Sequence, residues 1–314
     1  AGLKQAYQAG QSIAALCAPY RLLSLSVVLC SNPGDRAPYS NPVLQARQTA
    51  TGETPGALSS EEATASSTQD TKLSQELSTD VSAKNPKVGW VIRGLGRSFG
   101  ENPETIYTLA QKKLQGTRDQ GGLTHVKHAI DHGWAGEDTH VAASIDTRSK
   151  DDLMAHLDVY RKLAHEGLID TVMTSHVRFP ALGDGEAEFG LSATGLDLLR
   201  EAMGEKPVFI SDCLSMGAIA QSKILKSSDL TAEQCPPDIS EEDFDKVKGM
   251  VEAIACASCP KKYQGSADHH ASNTDIVLAC NLNVSMMRAI LDNLSFVPAP
   301  EVTARVSSLQ KWSE

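Results

Sequence analysis

The sequence predicts an α/β protein of the TIM-type (β/α)8 barrel class, and three observations support this prediction. The chain has 314 residues, which is a suitable length for a single α/β barrel. From residue 88 onwards, short strand-like apolar segments alternate with longer amphipathic segments, a pattern that favours parallel strands joined by crossover helices. Polar clusters follow several of these predicted strands, and the loops after the strands are where such barrels place their chemistry.

The predicted elements follow one another along the chain. The strands are predicted by their short apolar runs over residues 23–30, 88–92, 123–128, 140–145, 169–174, 207–211 and 274–279. The helices are predicted by apolar side chains at helical spacing over residues 1–17, 104–115, 150–166, 192–203, 241–257 and 283–293.

One long segment, residues 32–86, differs from the rest in composition. It is rich in Ser, Thr, Gln, Ala, Gly and Glu and contains almost no aromatic or branched aliphatic residues. Such a segment buries too little apolar surface to offset the entropy lost on ordering. We therefore predict three regions: an early barrel helix and strand over 1–31, a disordered insertion over 32–86, and the remainder of the barrel over 87–314.

Composition excludes several classes of partner. The net charge is −10, and no Lys/Arg cluster with interleaved aromatics is visible, so we predict no nucleic-acid partner. The longest early apolar run, residues 22–30, is far shorter than the roughly 20 residues of a membrane helix, so we predict no membrane partner. The seven cysteines are scattered, which is typical of reduced, buried thiols in a cytoplasmic protein. No cofactor is predicted.

Two patterns have the residue types of a metal site, and neither is complete. Cys256 and Cys259 form a CxxC pair, but only a tandem histidine follows it instead of a second spaced pair. His128 and His132 are spaced like a zinc pair, but glycines and acids between and after them describe a loop, and the order HExxH is absent. We predict no metal.

An acid follows one buried strand. In the stretch VFISDCLSMGAI, residues 208–219, Asp212 comes directly after the apolar run. Asp is a preferred N-cap residue, so the carboxylate could simply begin a helix. A carboxylate at the end of a barrel strand is also placed to act as a nucleophile on a bound substrate. The residues alone leave both interpretations open.

A second candidate device lies in the glycine-rich stretch after the 123–128 strand. Asp138 stands two residues before His140, a spacing that lets the carboxylate accept a hydrogen bond from one imidazole nitrogen and fix the ring's tautomer. That arrangement is typical of a general acid/base, although a short DxH motif also occurs often without a catalytic role.

Four motifs occur together and in a fixed order. They are RSFGENP at 97–103, KHAIDHG at 127–133 continuing to DTH at 138–140, SHVRFP at 175–180, and SDCLSMGA at 211–218. In this combination they resemble glycoside hydrolase family 3, and specifically its single-domain β-N-acetylglucosaminidase (β-hexosaminidase) branch. The resemblance covers residues 88–295.

This resemblance implies a retaining, exo-acting β-N-acetylhexosaminidase that releases terminal β-linked N-acetylglucosamine. It implies that Asp212 is the nucleophile and that His140, oriented by Asp138, is the acid/base. Arg97, Lys127 and His128 would correspond to the residues that bind the sugar.

The sequence also departs from the family pattern. The family's early barrel strands and its D-x-E-G-G segment have no counterpart, so we expect a barrel that lacks its first strands. Asp131 replaces an uncharged residue and would add an acid beside the sugar site. Cys30 replaces the acid of the family's early strand.

Alternatives therefore remain. The same fold could serve a β-glucosidase or a glycoside phosphorylase, or the chain could be a catalytically inactive, truncated relic. His176 could be structural or contact the substrate, and Arg178 could face solvent or bind the sugar.

Overall fold

The computed structural model describes most of the chain from residue 97 onwards and short parts before it. The described residues are 2–17, 27–28, 89, 91–92, 97–183, 185–259, 274–294 and 300–310. The predicted insertion at 32–86 lies outside them. Among the described residues, no helix combines the length and the apolar character needed to cross a bilayer.

The main sheet has five parallel strands, and two short parallel strands form a second sheet. The main sheet runs in the order β1 (Val27–Val28), β2 (His125–Ala129), β4 (Thr171–Thr174), β6 (Val208–Cys213) and β7 (Ile276–Leu278). The second sheet pairs β3 (Ser144–Ile145) with β5 (Val177–Arg178).

Helices separate these strands in the chain. They are α1 (Gly2–Cys17), α2 (Pro103–Arg118), α3 (Lys150–His165), α4 (Ala193–Met203), the short α5 (Gly217–Ala220), α6 (Glu241–Ser258), α7 (Val284–Asn293) and α8 (Pro300–Gln310). The prediction of an α/β fold with a parallel sheet is confirmed. Within the described residues the main sheet is five-stranded and open, with β1 and β7 at its edges.

Side-chain caps explain where most of these helices begin. A Ser hydroxyl or an Asn amide oxygen accepts a hydrogen bond from a backbone N–H of the first turn. The caps are Asn102 for α2, Ser149 for α3, Ser192 for α4, Ser240 for α6 and Asn283 for α7.

Two predicted strands are wrong in whole or in part. Residues 91–92 lie in a helical turn, because Gly89 has a positive φ of 66° and its carbonyl accepts a hydrogen bond from the Ile92 N–H. The predicted strand at 140–145 is reduced to β3, because the N–H groups of Val141 and Ala142 both donate to Asp138 O and close a turn.

Two clusters of buried apolar side chains hold the elements together. One joins α2, α3 and α4 to β2 and β4, and the other joins α6, α7 and the segment after β6. Burying a large aliphatic side chain contributes about 1.5–3 kcal/mol. The strands that end at the polar motifs are therefore fixed by a conventional core.

Asp170 sets the register between β2 and β4. Its Oδ2 accepts hydrogen bonds from the N–H (2.7 Å) and Oγ1 (2.8 Å) of Thr124, and its Oδ1 pairs with Arg118 Nη2 at 2.5 Å. Because Thr124 immediately precedes β2 and Asp170 immediately precedes β4, these contacts align the amino ends of the two strands.

Candidate active site

Asp212 lies at the carboxyl end of β6, where the strand leaves the core. Its side chain is 16% exposed, and its Oδ1 accepts a hydrogen bond from the Cys213 N–H at 2.8 Å. The next helix, α5, begins at Gly217 with Met216 in the cap position. The N-cap interpretation of Asp212 is therefore wrong, and the carboxylate is partly exposed near the end of the strand.

His128 approaches Asp212 from β2, which is separated from β6 by β4 in the main sheet. His128 Nε2 lies 4.0 Å from Asp212 Oδ2, which is longer than a hydrogen bond. Burial lowers the pKa of His128 well below its usual value, and the charges of His132, Lys127 and Arg97 lower it further. The ring is neutral at pH 7, so the contact is not a salt bridge.

The two predicted cationic sugar-binding residues lie near this histidine. Lys127 is half-buried on β2, one residue before His128. Arg97 is half-buried, and its Nη1 donates to Val91 O at 3.2 Å. The charges of both residues act on His128. The structure thus brings Arg97, Lys127, His128 and Asp212 into one neighbourhood.

The Asp138–His140 pair forms on the loop between β2 and β3. Asp138 Oδ1 accepts hydrogen bonds from the His140 backbone N–H at 2.9 Å and from His140 Nδ1 at 2.7 Å. Desolvation acts to raise the pKa of Asp138, but these two hydrogen bonds and the imidazole charge hold the pKa below its ordinary value. The carboxylate is therefore ionised at neutral pH, so the hydrogen bond between the two side chains requires a proton on Nδ1 of His140.

The side chains of the Asp138–His140 pair are more exposed than those at the strand ends. The His140 side chain is 63% exposed and that of Asp138 is 37% exposed. Within the described residues, no hydrogen bond joins His140 to Asp212. The two predicted catalytic groups thus lie on separate segments and are not hydrogen-bonded to each other.

Thr139, between the two members of the pair, fastens the loop to the interior. His132 Nε2 lies 2.9 Å from Thr139 Oγ1, and both side chains are buried. Burial lowers the pKa of His132, so this ring is neutral and serves as a hydrogen-bonding support. Among the described residues, no group of three His, Cys, Asp or Glu side chains could hold a metal ion.

Asp131, the acid predicted beside the sugar site, is buried and paired. Its carboxylate is fully buried and pairs with Arg148 Nη2 at 2.6 Å. Its other oxygen accepts hydrogen bonds from the N–H groups of His132 and Gly133. Arg148 also pairs with Asp146 at 2.6 Å. Because a buried carboxylate requires such partners, Asp131 is a structural anchor at the base of the loop.

The prediction of reduced thiols is also wrong for two cysteines. Cys213 and Cys280 form a disulfide, with their Cα atoms 6.0 Å apart. The hydrogen bond from Leu214 N–H to Leu278 O, at 2.8 Å, draws the ends of β6 and β7 together, so the two side chains meet. The disulfide cross-links the strand end that carries Asp212. Cys235, Cys256 and Cys259 are free.

Two residues that the sequence left open have structural partners. His176 is buried, and its Nε2 lies 3.2 Å from Cys213 O, so it supports the residue after Asp212. Arg178 is 6% exposed, and its Nε donates to the fully buried Glu188 at 2.8 Å. The guanidinium of Arg178 is therefore engaged inside the protein and does not face solvent.

Comparisons with known proteins add to this geometry. A β-hexosaminidase of Hydrogenovibrio crunogenus (strain DSM 25203 / XCL-2) is 35% identical over 128 residues, which are 40% of this chain and 35% of that protein. A glycoside hydrolase family 3 β-N-acetylglucosaminidase from Paenibacillus sp. str. FPU-7 matches 99% of this chain and 44% of its own, with 21% identity and a TM-score of 0.60. That likeness shows the fold alone.

A third similar protein is NagZ from Neisseria gonorrhoeae, solved in complex with N-trifluoroacetyl-D-glucosamine. It is 25% identical with a TM-score of 0.50, over 71% of this chain and 54% of that chain. This chain thus spans about half, or less, of the length of these relatives. Residues 45–239, more than half of the chain, match the family described as the glycosyl hydrolase family 3 N terminal domain. The chain belongs to glycosyl hydrolase family 3.

Proposed function

We propose that this chain carries the catalytic machinery of a retaining, exo-acting β-N-acetylhexosaminidase that releases terminal β-linked N-acetylglucosamine. The observation that supports this most is the hydrogen-bonded Asp138–His140 pair on a loop beside the segment that follows Asp212. The relatives named β-hexosaminidase support the choice of sugar.

In the first step Asp212 attacks the anomeric carbon of the sugar. The glycosidic C–O bond breaks as the Asp212–carbon bond forms, and the leaving oxygen takes a proton from His140 Nε2. The general scheme of retaining hydrolysis uses two carboxylates, and here an imidazole supported by a carboxylate takes the place of the second. Ionised Asp138 holds the Nδ1 proton and stabilises the imidazolium form before transfer.

In the second step water replaces the leaving group. His140 Nε2, now unprotonated, removes a proton from water as its oxygen attacks the anomeric carbon, and Asp212 is released as a carboxylate. The loop suits these two roles, because the acid must approach the glycosidic oxygen and then make room for water. An exposed imidazole exchanges protons with solvent between turnovers.

The two cationic side chains near His128 bind and orient the sugar. Arg97 and Lys127 donate hydrogen bonds to its hydroxyl and acetamido groups, and such contacts strengthen as charge develops in the transition state. Neutral His128 can donate or accept a hydrogen bond with the sugar. It does so without placing a positive charge beside the oxocarbenium-like centre.

A glycoside phosphorylase is the second candidate function. A histidine acid/base is neutral after it has given up its proton, so it repels an incoming phosphate less than a carboxylate would. Arg97 and Lys127 would favour the same anion.

We also infer that the five parallel strands are part of a (β/α)8 barrel, as in the family's fold. The open edges of β1 and β7 are where further strands would pair.

The test is turnover of 4-nitrophenyl β-N-acetylglucosaminide and of the matching glucoside by the purified chain, with and without inorganic phosphate. We expect hydrolysis of the acetamido sugar to N-acetylglucosamine, independent of phosphate. Formation of a sugar 1-phosphate would establish the phosphorylase instead. A folded protein, judged by a cooperative thermal transition, that turns over neither substrate would contradict the proposal and favour the inactive relic.

A further inference from the structure

Backbone hydrogen bonds join the acid/base loop to the start of α5. The Gly217 N–H donates to His140 O at 2.9 Å, and the Ala218 N–H donates to Thr139 O at 3.0 Å. The residue that carries the imidazole is therefore tied, through its own carbonyl, to the segment five residues after Asp212. Two backbone hydrogen bonds therefore connect the acid/base loop to the segment that follows the nucleophile strand.

Gln221, at the other end of α5, adds two side-chain hydrogen bonds to the same loop. Its Oε1 accepts from the Ala143 N–H at 3.2 Å, and its Nε2 donates to Val141 O at 3.3 Å. One amide thus holds the loop on both sides of residue 142, directly after His140. Gln221 itself is exposed, so both bonds can open to water and close again.

The backbone of Gln221 is fixed from the interior. Arg178 Nη2 donates to Gln221 O at 3.2 Å, and Arg178 belongs to the buried ion pair with Glu188. Ser222 Oγ donates to the second oxygen of Glu188. A buried ion pair with this many hydrogen bonds is rigid, so the amide of Gln221 extends from a fixed base towards a less constrained loop.

We propose that Gln221 is a positioning residue, whose amide sets the place of the loop that bears His140 relative to Asp212. The inference rests on the proposed function, and its structural part can be measured without turnover. The two hydrogen bonds restrict the movement of the loop while the glycosidic oxygen is protonated. Because both bonds are exposed, they can break and let the loop move away when water must enter. Nothing else in the sequence motifs marks this residue, since it lies three positions after SDCLSMGA ends.

Three variants separate positioning from stability. Gln221→Ala removes both hydrogen bonds, and Gln221→Glu keeps an acceptor for Ala143 N–H while losing the donor to Val141 O. Lys223→Ala is the matched control, because Lys223 is exposed on the same segment and pairs with Glu186. Thermal unfolding of all three shows whether the fold is intact.

The first readout is hydrogen–deuterium exchange of the 137–145 loop. We expect exchange about tenfold faster in Gln221→Ala, intermediate in Gln221→Glu and unchanged in Lys223→Ala, since the loop opens more often without its bonds. Unchanged exchange in Gln221→Ala would overturn the proposal. This result stands even if the wild-type chain proves inactive, which would refute the proposed function separately.

The second readout is dependence on the leaving group. We expect Gln221→Ala to lose about tenfold in kcat on phenyl β-N-acetylglucosaminide and less than twofold on the 2,4-dinitrophenyl substrate, whose leaving group needs no proton. Gln221→Glu should recover part of the loss. Equal losses on both substrates would show that Gln221 acts on the whole site and not on the placement of His140.

Discussion

The two halves of the candidate site differ in how firmly the fold holds them. The strand-end half consists of Arg97, Lys127, His128 and Asp212, and the loop half consists of residues 138–140. His128 and Asp212 are 7% and 16% exposed, whereas His140 and Asp138 are 63% and 37% exposed. Three residues of the strand-end half stand on β2 and β6 of the main sheet, and Arg97 lies in the segment before α2. The loop half is held by local turns and a few hydrogen bonds.

This difference matches the demands that the proposed mechanism places on the two groups. A nucleophile must meet one carbon atom at a fixed distance, so it gains from a rigid strand end. An acid/base must approach an oxygen, withdraw and exchange its proton, so it gains from a mobile, solvated host. His128, beside Asp212, is buried and neutral at pH 7, whereas His140 on the loop is exposed.

Removing the carboxylate from the rigid half should have the largest effect. Asp212→Asn should lower kcat with every aryl β-N-acetylglucosaminide by at least about 10⁴-fold, because no neighbouring group can form the glycosyl-enzyme bond. The check is steady-state hydrolysis beside Asp229→Asn, an exposed aspartate whose replacement should change nothing. Retained activity in Asp212→Asn would remove this residue from the mechanism.

Removing the imidazole from the loop half should have a smaller and selective effect. His140→Ala should lower kcat by about 10²–10⁴-fold on poor leaving groups, the range that general acid catalysis contributes, and by much less on 2,4-dinitrophenyl substrates. A plot of log kcat against leaving-group pKa should become steeper in the variant. A uniform decrease across the series would mean that His140 is not the proton donor.

Much of the strand-end half follows from the sequence, and the loop half follows less completely. Runs such as VFIS predict buried strands, and the residue after a parallel strand lies at the functional edge, so Asp212 and His128 were predictable. The DxH spacing alone was sufficient to predict the Asp138–His140 hydrogen bond. These are local signals, in which strand and motif are adjacent in the chain.

The features that the sequence did not predict depend on distant partners. The partner of Asp131, Arg148, lies seventeen residues further along the chain, and only the fold brings the two side chains together. The sequence therefore did not predict their ion pair. Cys213 and Cys280 are separated by 67 residues. Gln221 meets Ala143 across 78 residues, and no periodicity relates the two segments. The apolar run at 88–92 predicted a strand, and it gave no sign that Gly89 has a left-handed backbone conformation.

The buried histidine His125, the first residue of β2, predicts that acid destabilises the fold. Burial, with a smaller effect of the Lys127 charge, lowers the pKa of His125 from 6.5 to about 4, against the opposing charge of Asp212. In the unfolded chain His125 takes up a proton as the pH falls below about 6.5, but in the folded chain it does so only near pH 4. Stability should therefore be full above pH 6.5 and decrease as the pH falls towards 4, by up to about 3 kcal/mol from this residue.

Urea unfolding at pH 7 and pH 4.5 measures that loss. His125→Asn keeps a nitrogen near the position of Nδ1, which contacts Thr171 Oγ1 at 2.7 Å, and should make stability less dependent on pH. His165→Asn, at an exposed helix end, is the control and should leave the dependence as it is. If His125→Asn also leaves it unchanged, the acid sensitivity comes from other groups.

The smallest predicted effect lies where the two halves meet. A Cβ at Gly217 would lie 2.3 Å from Val141 O, so Gly217→Ala should push the loop half away while the strand ends stay in place. We expect about a tenfold loss of kcat on poor leaving groups and little change on the 2,4-dinitrophenyl substrate. The free energy of unfolding should fall by about 1–2 kcal/mol, since the atoms displaced are backbone atoms of an exposed loop. The measurements are steady-state kinetics and urea unfolding of Gly217→Ala. The control is Gly249→Ala, because Gly249 has open space around its Cβ position. A large loss of stability without selectivity for the leaving group would mean that the loop is part of the rigid framework and that the two halves move as one.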